Sequence, residues 1–241
     1  MVSIDTYIHP KALVESDAIG EGTRIWAFAH VLKGALIGRN CNIGDHCFIE
    51  SGVSIGDDVV IKNGVSIWEG VILEDRVFVG PNVSFTNDRV PRAKVFRDDY
   101  DELLVKEGAS IGANSTIIAP VVIGRFAMIG AGAVVVKDVP DFSLVYGNPA
   151  RIKGWICRCG GKLVQRTEVK GLDRQRVRRL EEQKSREKRT ETGDERLVCT
   201  VCGIRHIKDG PQITPVRSSV PTPEEWLEDS TRRGQAQINA D

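Results

Sequence analysis

Large apolar residues recur along this chain at every sixth position. The repeat runs unbroken from Leu13 to Phe85 and returns between Val105 and Val135. From Thr23 onwards, the position two residues before each large one holds a small or branched side chain in most repeats. A six-residue hydrophobic period fits neither a helix nor an ordinary strand and is typical of a parallel β-helix. We therefore predict an all-β solenoid whose large side chains stack in an internal column.

Two further features of the repeat describe its corners and its core. Glycine follows the large residue at Gly20, Gly38, Gly44 and Gly56, which we attribute to corners that need permissive backbone angles. Cys41 and Cys47 occupy the small inward position, so we expect buried thiols. They are therefore weak candidates for metal ligands or nucleophiles.

The segment "SFTNDRVPRAKVFRDDYDELLVKEG" interrupts the repeat. Phe85 and Val105 are 20 residues apart, and this spacing is not a multiple of six. Residues 88–104 are therefore predicted to leave the solenoid as a loop and then return to it.

Composition and charge divide the 241 residues into parts of different character. Hydrophobic residues make up 41% of the chain, enough for one sizeable core and a small appendage. Residues 1–150 contain 13 Lys and Arg against 19 Asp and Glu, whereas the remainder contains 20 against 14. The net charge changes from −6 to +6 at this boundary. Long apolar runs and a signal-like N-terminus are missing, so we expect a cytoplasmic protein without a membrane partner.

A cysteine-containing module is predicted to follow the solenoid. We assign residues 1–153 to the β-helix, 154–210 to the module and 211–241 to a mostly disordered tail. The pairs "CRCG" and "CTVCG" supply Cys157, Cys159, Cys199 and Cys202, the ligand count of a structural zinc site. The single residue inside the first pair and the 39 residues between the pairs are unusual for such a site. We predict a zinc-ribbon-like module that contains structural Zn²⁺.

A charged segment separates the two cysteine pairs. Residues 172–191 favour a mostly exposed helix with scattered ion pairs. Acidic residues interrupt its arginines, so we expect a solvated helix and no nucleic acid partner.

The solenoid also resembles a known family. The motifs "IWAFAHV", "IKNGVSIWEGVILEDRVFVGP", "SFTNDRVPR", "LVKEGASIGANSTI" and "IGAGAVVVKDVPDFSLVYGNPAR" are similar to those of hexapeptide-repeat acyltransferases with a left-handed β-helix. The resemblance is closest to nucleotide-sugar N-acetyltransferases of bacterial surface-polysaccharide synthesis, in particular those that act on UDP-2-acetamido-3-amino-2,3-dideoxyglucuronate. It implies a homotrimer, acetyl-CoA in the groove between neighbouring β-helices, and a loop that helps to enclose the sugar.

Candidate catalytic residues follow from this resemblance and from the chemistry. N-acetylation needs a neutral amine, an aligned thioester and no enzyme nucleophile. Asn87 matches the asparagine of the family's "FTN" motif and is predicted to orient either the sugar amine or the acetyl carbonyl, although asparagine is also a common corner residue. His30 points away from the core and is a candidate general base. The departing CoA thiolate or the substrate itself is the alternative proton acceptor.

Candidate binding residues lie in the coil below the loop and in the loop itself. Asn63, Trp68 and Glu69 are predicted to contact nucleotide or sugar, with trimer packing as the alternative. Arg92 suits a carboxylate or a diphosphate, or else an ion pair within the loop.

The coils after the loop supply candidates for cofactor binding. Pantetheine is predicted to pass the small residues Ala113 and Ala131. Lys137 and Arg151 are predicted to meet the CoA phosphates, with solvated surface as the alternative.

Three other functions compete with this hypothesis. O-acetylation of a small hydroxyl acceptor would demand a stronger base, so it would require His30. A non-enzymatic trimeric scaffold would use the zinc module for contacts. Zinc carbonic anhydrase needs a set of histidine ligands, and the four histidines of this chain have no ligand spacing.

Overall fold

The computed structural model describes residues 5–95, 100–165, 195–210 and 212–216. The chain divides into two compact units, Met1–Lys162 and Leu163–Asp241. The described part of each unit consists of β-strands and turns. Among the described residues, no helix has the length and apolar character needed to cross a membrane.

The first unit is a parallel β-helix with three sheets. Sheet A contains, in spatial order, β1 Tyr7–Ile8, β3 Arg24–Ile25, β6 Asn42–Ile43, β9 Val60–Ile61, β12 Phe78–Val79, β15 Ser110–Ile111, β18 Met128–Ile129, β20 Ser143–Tyr146 and β21 Arg151–Ile156. Sheet B contains β2 Leu13–Val14, β4 His30–Val31, β7 Phe48–Ile49, β10 Ser66–Ile67, β13 Ser84–Thr86, β16 Thr116–Ile118 and β19 Val134–Val135. Sheet C contains β5 Leu36–Ile37, β8 Ser54–Ile55, β11 Val71–Leu73, β14 Leu103–Val105 and β17 Val121–Ile123.

The chain visits the sheets in the order A, B, C, so we name its turns the A–B, B–C and C–A corners. Strands stack in register from coil to coil, as in the pairing of Ile25 with Ile43 and of Ile43 with Ile61. These three side chains are 0% exposed. Burying one such side chain contributes about 1.5–3 kcal/mol to folding. The six-residue period predicted from the sequence is therefore confirmed as the core column.

The first coil departs from the predicted phase. Leu13, which the period places in the column, is 55% exposed, whereas Val14 pairs with the buried Val31. Val14 and Ile19 are five positions apart instead of six, because the corner between them is one residue shorter than in the regular coils. Ser16 fills that corner, and its hydroxyl donates to the Ala35 carbonyl oxygen at 2.7 Å. The inward assignment of Leu13 was therefore wrong by one residue.

The two thiols inside the coils are buried as expected. Cys41 and Cys47 are each 1% exposed, and their Sγ atoms donate to the carbonyl oxygens of Gly56 and Lys62 at 3.1 and 3.2 Å. Burial raises the pKa of both thiols. Both residues are therefore poor candidates for thiolate chemistry at neutral pH.

The corner glycines have a different cause from the predicted one. A Cβ atom on Gly38 would lie 2.4 Å from Asp57 Oδ1 and 2.5 Å from the backbone of Gly56. Asp57 Oδ1 needs this space because it accepts the Arg39 N–H at 2.7 Å. Positive φ occurs two residues further on, for example at Asn40. Close approach of neighbouring coils, rather than backbone angles, therefore selects glycine at position 38.

The loop is slightly shorter than predicted. Strand β14 already begins at Leu103, which is fully buried, so the loop spans 88–102 rather than 88–104. The first compact unit ends at Lys162 and includes the antiparallel strand β21.

The second unit contains an antiparallel sheet. Its strands are β22 Lys162–Gln165, β23 Glu195–Cys199, β24 Arg205–Asp209 and β25 Gln212–Pro215. The first residue of β22, Lys162, is the last residue of the first unit. Ile213 of β25 is 3% exposed, so the ordered module continues beyond the predicted boundary at residue 210. The predicted helix at 172–191 and the tail after residue 216 lie outside the described residues.

Candidate active site

The loop leaves and rejoins the β-helix at one B–C corner. It begins after strand β13 and ends at strand β14. The Asp101 N–H donates to the Asn87 carbonyl oxygen at 2.9 Å, and the Leu103 N–H donates to the Gly70 carbonyl oxygen at 2.9 Å. The two ends of the loop are therefore joined to each other and to the coil below.

Asn87 lies at the start of the loop with its amide group oriented by the coil below. Its Nδ2 donates to the Glu69 carbonyl oxygen at 3.1 Å. This bond assigns the nitrogen end of the amide, so Oδ1 is left as the acceptor end. The side chain is half-buried. Asn87 therefore presents a hydrogen-bond acceptor at the base of the loop.

Trp68 and Glu69 occupy the same B–C corner one coil below Asn87. The Glu69 N–H donates to Glu50 Oε2 at 2.8 Å. The Trp68 ring lies against the Phe48 ring, with centroids 5.4 Å apart. The structure therefore brings three of the predicted site residues together at one corner.

Asn63 lies at a different corner. It belongs to an A–B turn, where its Oδ1 accepts the Asp45 N–H at 3.2 Å. This side chain holds two coils together, as Asp57 does at its own corner. Asn63 is not part of the cluster around Asn87.

His30 lies on sheet B three strands below the loop. The register connects His30 to Phe48, Phe48 to Ser66, and Ser66 to Ser84 beside the loop. At the strand spacing of a β-sheet this places His30 about 14 Å from the level of Asn87. The His30 Nε2 atom lies 3.5 Å from Glu15 Oε1, and its ring meets the edge of Phe48. The structure does not bring His30 and Asn87 together.

Arg92 is exposed on the loop, where its Nη1 donates to the neighbouring Pro91 carbonyl oxygen at 2.8 Å. The ion pair in the described part of the loop is made by another arginine. Arg89 Nε and Nη2 donate to the two carboxylate oxygens of Asp101 at 2.9 and 3.2 Å. Arg89 was not among the residues predicted from the sequence, since no period relates two residues of an irregular loop.

The predicted cofactor residues lie in the coils above the loop. Ala113 and Ala131 occupy successive A–B corners, and a Cβ atom on Gly112 would lie 2.5 Å from the Ala131 nitrogen. Lys137 is exposed at a B–C corner, and Arg151 is exposed in β21. The small pair and the two basic residues thus lie at separate edges of the upper coils.

The four predicted metal ligands form a compact cluster. The Sγ atoms of Cys157, Cys159, Cys199 and Cys202 all lie within 4.8 Å of one another. Cys199 Sγ accepts the N–H groups of Val201 and Cys202 at 3.4 and 3.5 Å. Tetrahedral Zn²⁺ with sulfur ligands at about 2.3 Å needs sulfur atoms about 3.8 Å apart. The donor set and its spacing therefore fit zinc.

Comparisons with known proteins agree with this architecture. Residues 18–51 and 52–87 match the family described as "Bacterial transferase hexapeptide (six repeats)", and residues 107–137 match "Hexapeptide repeat of succinyl-transferase". The chain is 56% identical over 157 residues to dTDP-3-amino-3,6-dideoxy-alpha-D-galactopyranose 3-N-acetyltransferase of Aneurinibacillus thermoaerophilus. This match covers 65% of the chain and 82% of that relative. The chain therefore belongs to the hexapeptide-repeat acyltransferases and is an enzyme of that class.

Two further proteins match this chain at lower identity. The bifunctional protein GlmU of Alkalilimnicola ehrlichii is 32% identical over 170 residues, a match that covers 61% of this chain but 34% of that relative. The solved structure of UDP-N-acetylglucosamine acyltransferase from Campylobacter jejuni has a TM-score of 0.50 at 19% identity and covers 73% of this chain and 75% of that chain. This last likeness concerns the fold alone.

Proposed function

We propose that this enzyme transfers the acetyl group of acetyl-CoA to the 3-amino group of a nucleotide-linked amino sugar. The observation that carries the proposal is the 56% identity, over 157 residues, to a 3-N-acetyltransferase of a dTDP-linked 3-amino sugar. The UDP-linked sugar acid expected from the sequence motifs has its reacting amine at the same position. Acetylation of either substrate therefore forms the same bond, an amide at C3 of a nucleotide-linked hexose.

The reaction requires alignment rather than a protein nucleophile. The neutral amine attacks the thioester carbonyl, a C–N bond forms, and the C–S bond breaks to release CoA. Asn87 is the residue that we assign to the amine. Its Nδ2 uses one N–H for the bond to the Glu69 carbonyl oxygen, and its Oδ1 is the end of the amide that can accept an N–H of the sugar amine. Of the two roles expected from sequence, we propose orientation of the amine, because Oδ1 can accept the amine N–H while Nδ2 keeps its bond to Glu69.

The leaving CoA sulfur is the proposed acceptor of the amine proton. His30 lies three strands below the loop, about 14 Å below the level of Asn87 at the strand spacing of a sheet. A base at that distance does not reach an amine held by Asn87. O-acetylation is disfavoured for the same reason, because a hydroxyl nucleophile would need the stronger base that His30 was expected to supply.

We propose that the complete site forms in a homotrimer. A convex solenoid has no deep pocket of its own, so a loop and an adjoining subunit together would enclose the substrates. Pantetheine would pass the small Ala113 and Ala131, and the exposed Lys137 and Arg151 would meet the CoA phosphates. The enzyme would meet the nucleotide sugars of surface-polysaccharide synthesis in the cytoplasm, which is the location that we propose.

The sugar and its nucleotide form the finer part of the proposal. The relative's substrate is a dTDP-linked 3,6-dideoxy sugar, which has no carboxylate. The motif resemblance instead favours UDP-linked 2-acetamido-3-amino glucuronate, for which the exposed Arg92 is a candidate partner. Trp68 and Glu69 are proposed to contact the sugar or nucleotide from the coil below Asn87.

A substrate panel tests this function. Purified enzyme is mixed with acetyl-CoA and with dTDP- or UDP-linked 3-amino and 4-amino sugars, and free CoA and product mass are followed. We expect turnover of at least one 3-amino sugar and none of the 4-amino sugars. Preference for the 4-amino sugars would overturn the proposed position of acetylation, and no turnover of any sugar would overturn the proposed function.

We further propose that the cysteine cluster binds structural zinc. Removing the metal should unfold the module, since four separate thiols cannot replace the cross-link. We expect one zinc ion per chain in the native protein and none in Cys199→Ser. Native mass spectrometry measures the metal content of both proteins. A cluster that is purified as disulfides, with no zinc in the native protein, would contradict this assignment.

A further inference from the structure

Residues at the base of the loop form a hydrogen-bond network that has no role in the reaction as proposed above. Asp101 is bonded twice, through its N–H to the Asn87 carbonyl oxygen at 2.9 Å and through its carboxylate to Arg89. If Gly70 carried a Cβ atom, that atom would lie only 3.0 Å from the Asp101 carbonyl oxygen. Asp101 is therefore packed onto the coil below at the point where the loop rejoins the β-helix.

The ion pair between Arg89 and Asp101 has the geometry of a fork. Nε and Nη2 of Arg89 donate to different carboxylate oxygens at 2.9 and 3.2 Å. The Asp101 side chain is 18% exposed, whereas that of Arg89 is 58% exposed. Two parallel bonds to a mostly buried carboxylate fix direction as well as distance. The arginine therefore restrains the carboxylate of Asp101 from outside.

This restraint reaches Asn87 through the backbone. Asn87 is held on one side by its Nδ2 bond to Glu69 and on the other by the bond from Asp101 to its carbonyl oxygen. Loss of the ion pair would free Asp101 and remove the second support. A displacement of about 1 Å in a group that positions a substrate can reduce the rate on the order of 100-fold.

We propose that Arg89 is a positioning residue, which holds Asn87 in its productive orientation through Asp101 and at the same time closes the base of the loop. This inference rests on the proposed function in assigning the sugar amine to Asn87. The closure of the loop does not depend on that assignment and can be measured without any sugar.

The first experiment compares kinetics in a double-mutant cycle. Arg89→Ala should lower kcat about tenfold, a milder loss than complete misplacement, and leave KM for acetyl-CoA unchanged. Arg89→Lys, which keeps the charge but loses the fork, should lie between this variant and the wild type. Because Arg89 acts through Asn87, Asn87→Ala/Arg89→Ala should be no slower than Asn87→Ala alone. Additive losses in the double variant would overturn the positioning role.

The second experiment measures the loop directly. Lysyl endopeptidase cleaves after Lys94, which is exposed on the loop and is unchanged in every variant. Cleavage at Lys94 should be about tenfold faster in Arg89→Ala, since the opened loop is more accessible. The matched control is Arg76→Ala, which breaks the Arg76–Glu107 ion pair at a C–A corner and should change neither cleavage nor kcat.

The two readouts separate the two claims. Equal cleavage rates in wild type and Arg89→Ala would overturn the clamp. If no amino sugar is acetylated by the wild type, the proposed function and the role of Arg89 in catalysis fall together. Faster cleavage would then support only the structural clamp.

Discussion

Asn87→Ala is expected to lower kcat for acetyl transfer by about tenfold or more, the scale of a lost polar contact in the transition state. The reason is the loss of Oδ1, the acceptor that the Nδ2 bond to Glu69 leaves directed away from that coil. The KM for acetyl-CoA should remain unchanged, because we assign Asn87 to the amine. Steady-state kinetics with a saturating 3-amino sugar provide the measurement.

A second corner asparagine supplies the control for this variant. Asn40 has a φ of 54° at a C–A corner and takes no part in the proposed site. Asn40→Ala should show the wild-type kcat. Thermal unfolding of both variants tests whether the β-helix survives. A wild-type kcat in a folded Asn87→Ala protein would refute the role of Asn87.

Gly38→Ala is expected to destabilise the β-helix by about 3 kcal/mol, the upper range for overpacking a tight site. The added Cβ atom would lie 2.4 Å from Asp57 Oδ1 and 2.5 Å from the Gly56 backbone, so two coils must separate. The bond from the Arg39 N–H to Asp57 would be lost with this movement. Urea unfolding at equal protein concentrations measures the change in the free energy of unfolding.

Gly154→Ala is the matched control for the stability experiment. A Cβ atom on Gly154 would have Lys162 Cε as its nearest neighbour, at 3.8 Å, and its φ is not in the left-handed region. This variant should unfold at nearly the same urea concentration as the wild type. Equal midpoints for Gly38→Ala and the wild type would show that neighbouring coils can separate without cost.

The core was predictable because burial repeats with the same period in every coil after the first and outside the loop. Residues such as Ile43 and Ile61 stack on each other, so each one independently indicates the same column. The first coil was misassigned because "LV" offers two apolar residues, and side-chain size alone does not choose between Leu13 and Val14. Their exposures depend on the short corner at Ser16, which leaves no mark in the six-residue count.

The site was predictable only where it follows the coil length. Glu69 and Asn87 are 18 residues apart and share a corner, whereas Asn63 and Asn87 are 24 residues apart and occupy different corners. A count by whole coils of 18 residues is therefore enough to separate Asn63 from the cluster. Arg89 and Asp101 lie in the irregular loop, where no repeat relates them, so their contact required the three-dimensional structure.

The most direct test of the account is the position of the acetyl group in the product. The enzyme is incubated with ¹³C-acetyl-CoA and a nucleotide-linked 3-amino sugar, and long-range carbon–proton couplings locate the labelled carbonyl by NMR. We predict one amide on the C3 nitrogen, formed with one equivalent of free CoA. A label found on a hydroxyl oxygen, or unreacted sugar with intact acetyl-CoA, would contradict it.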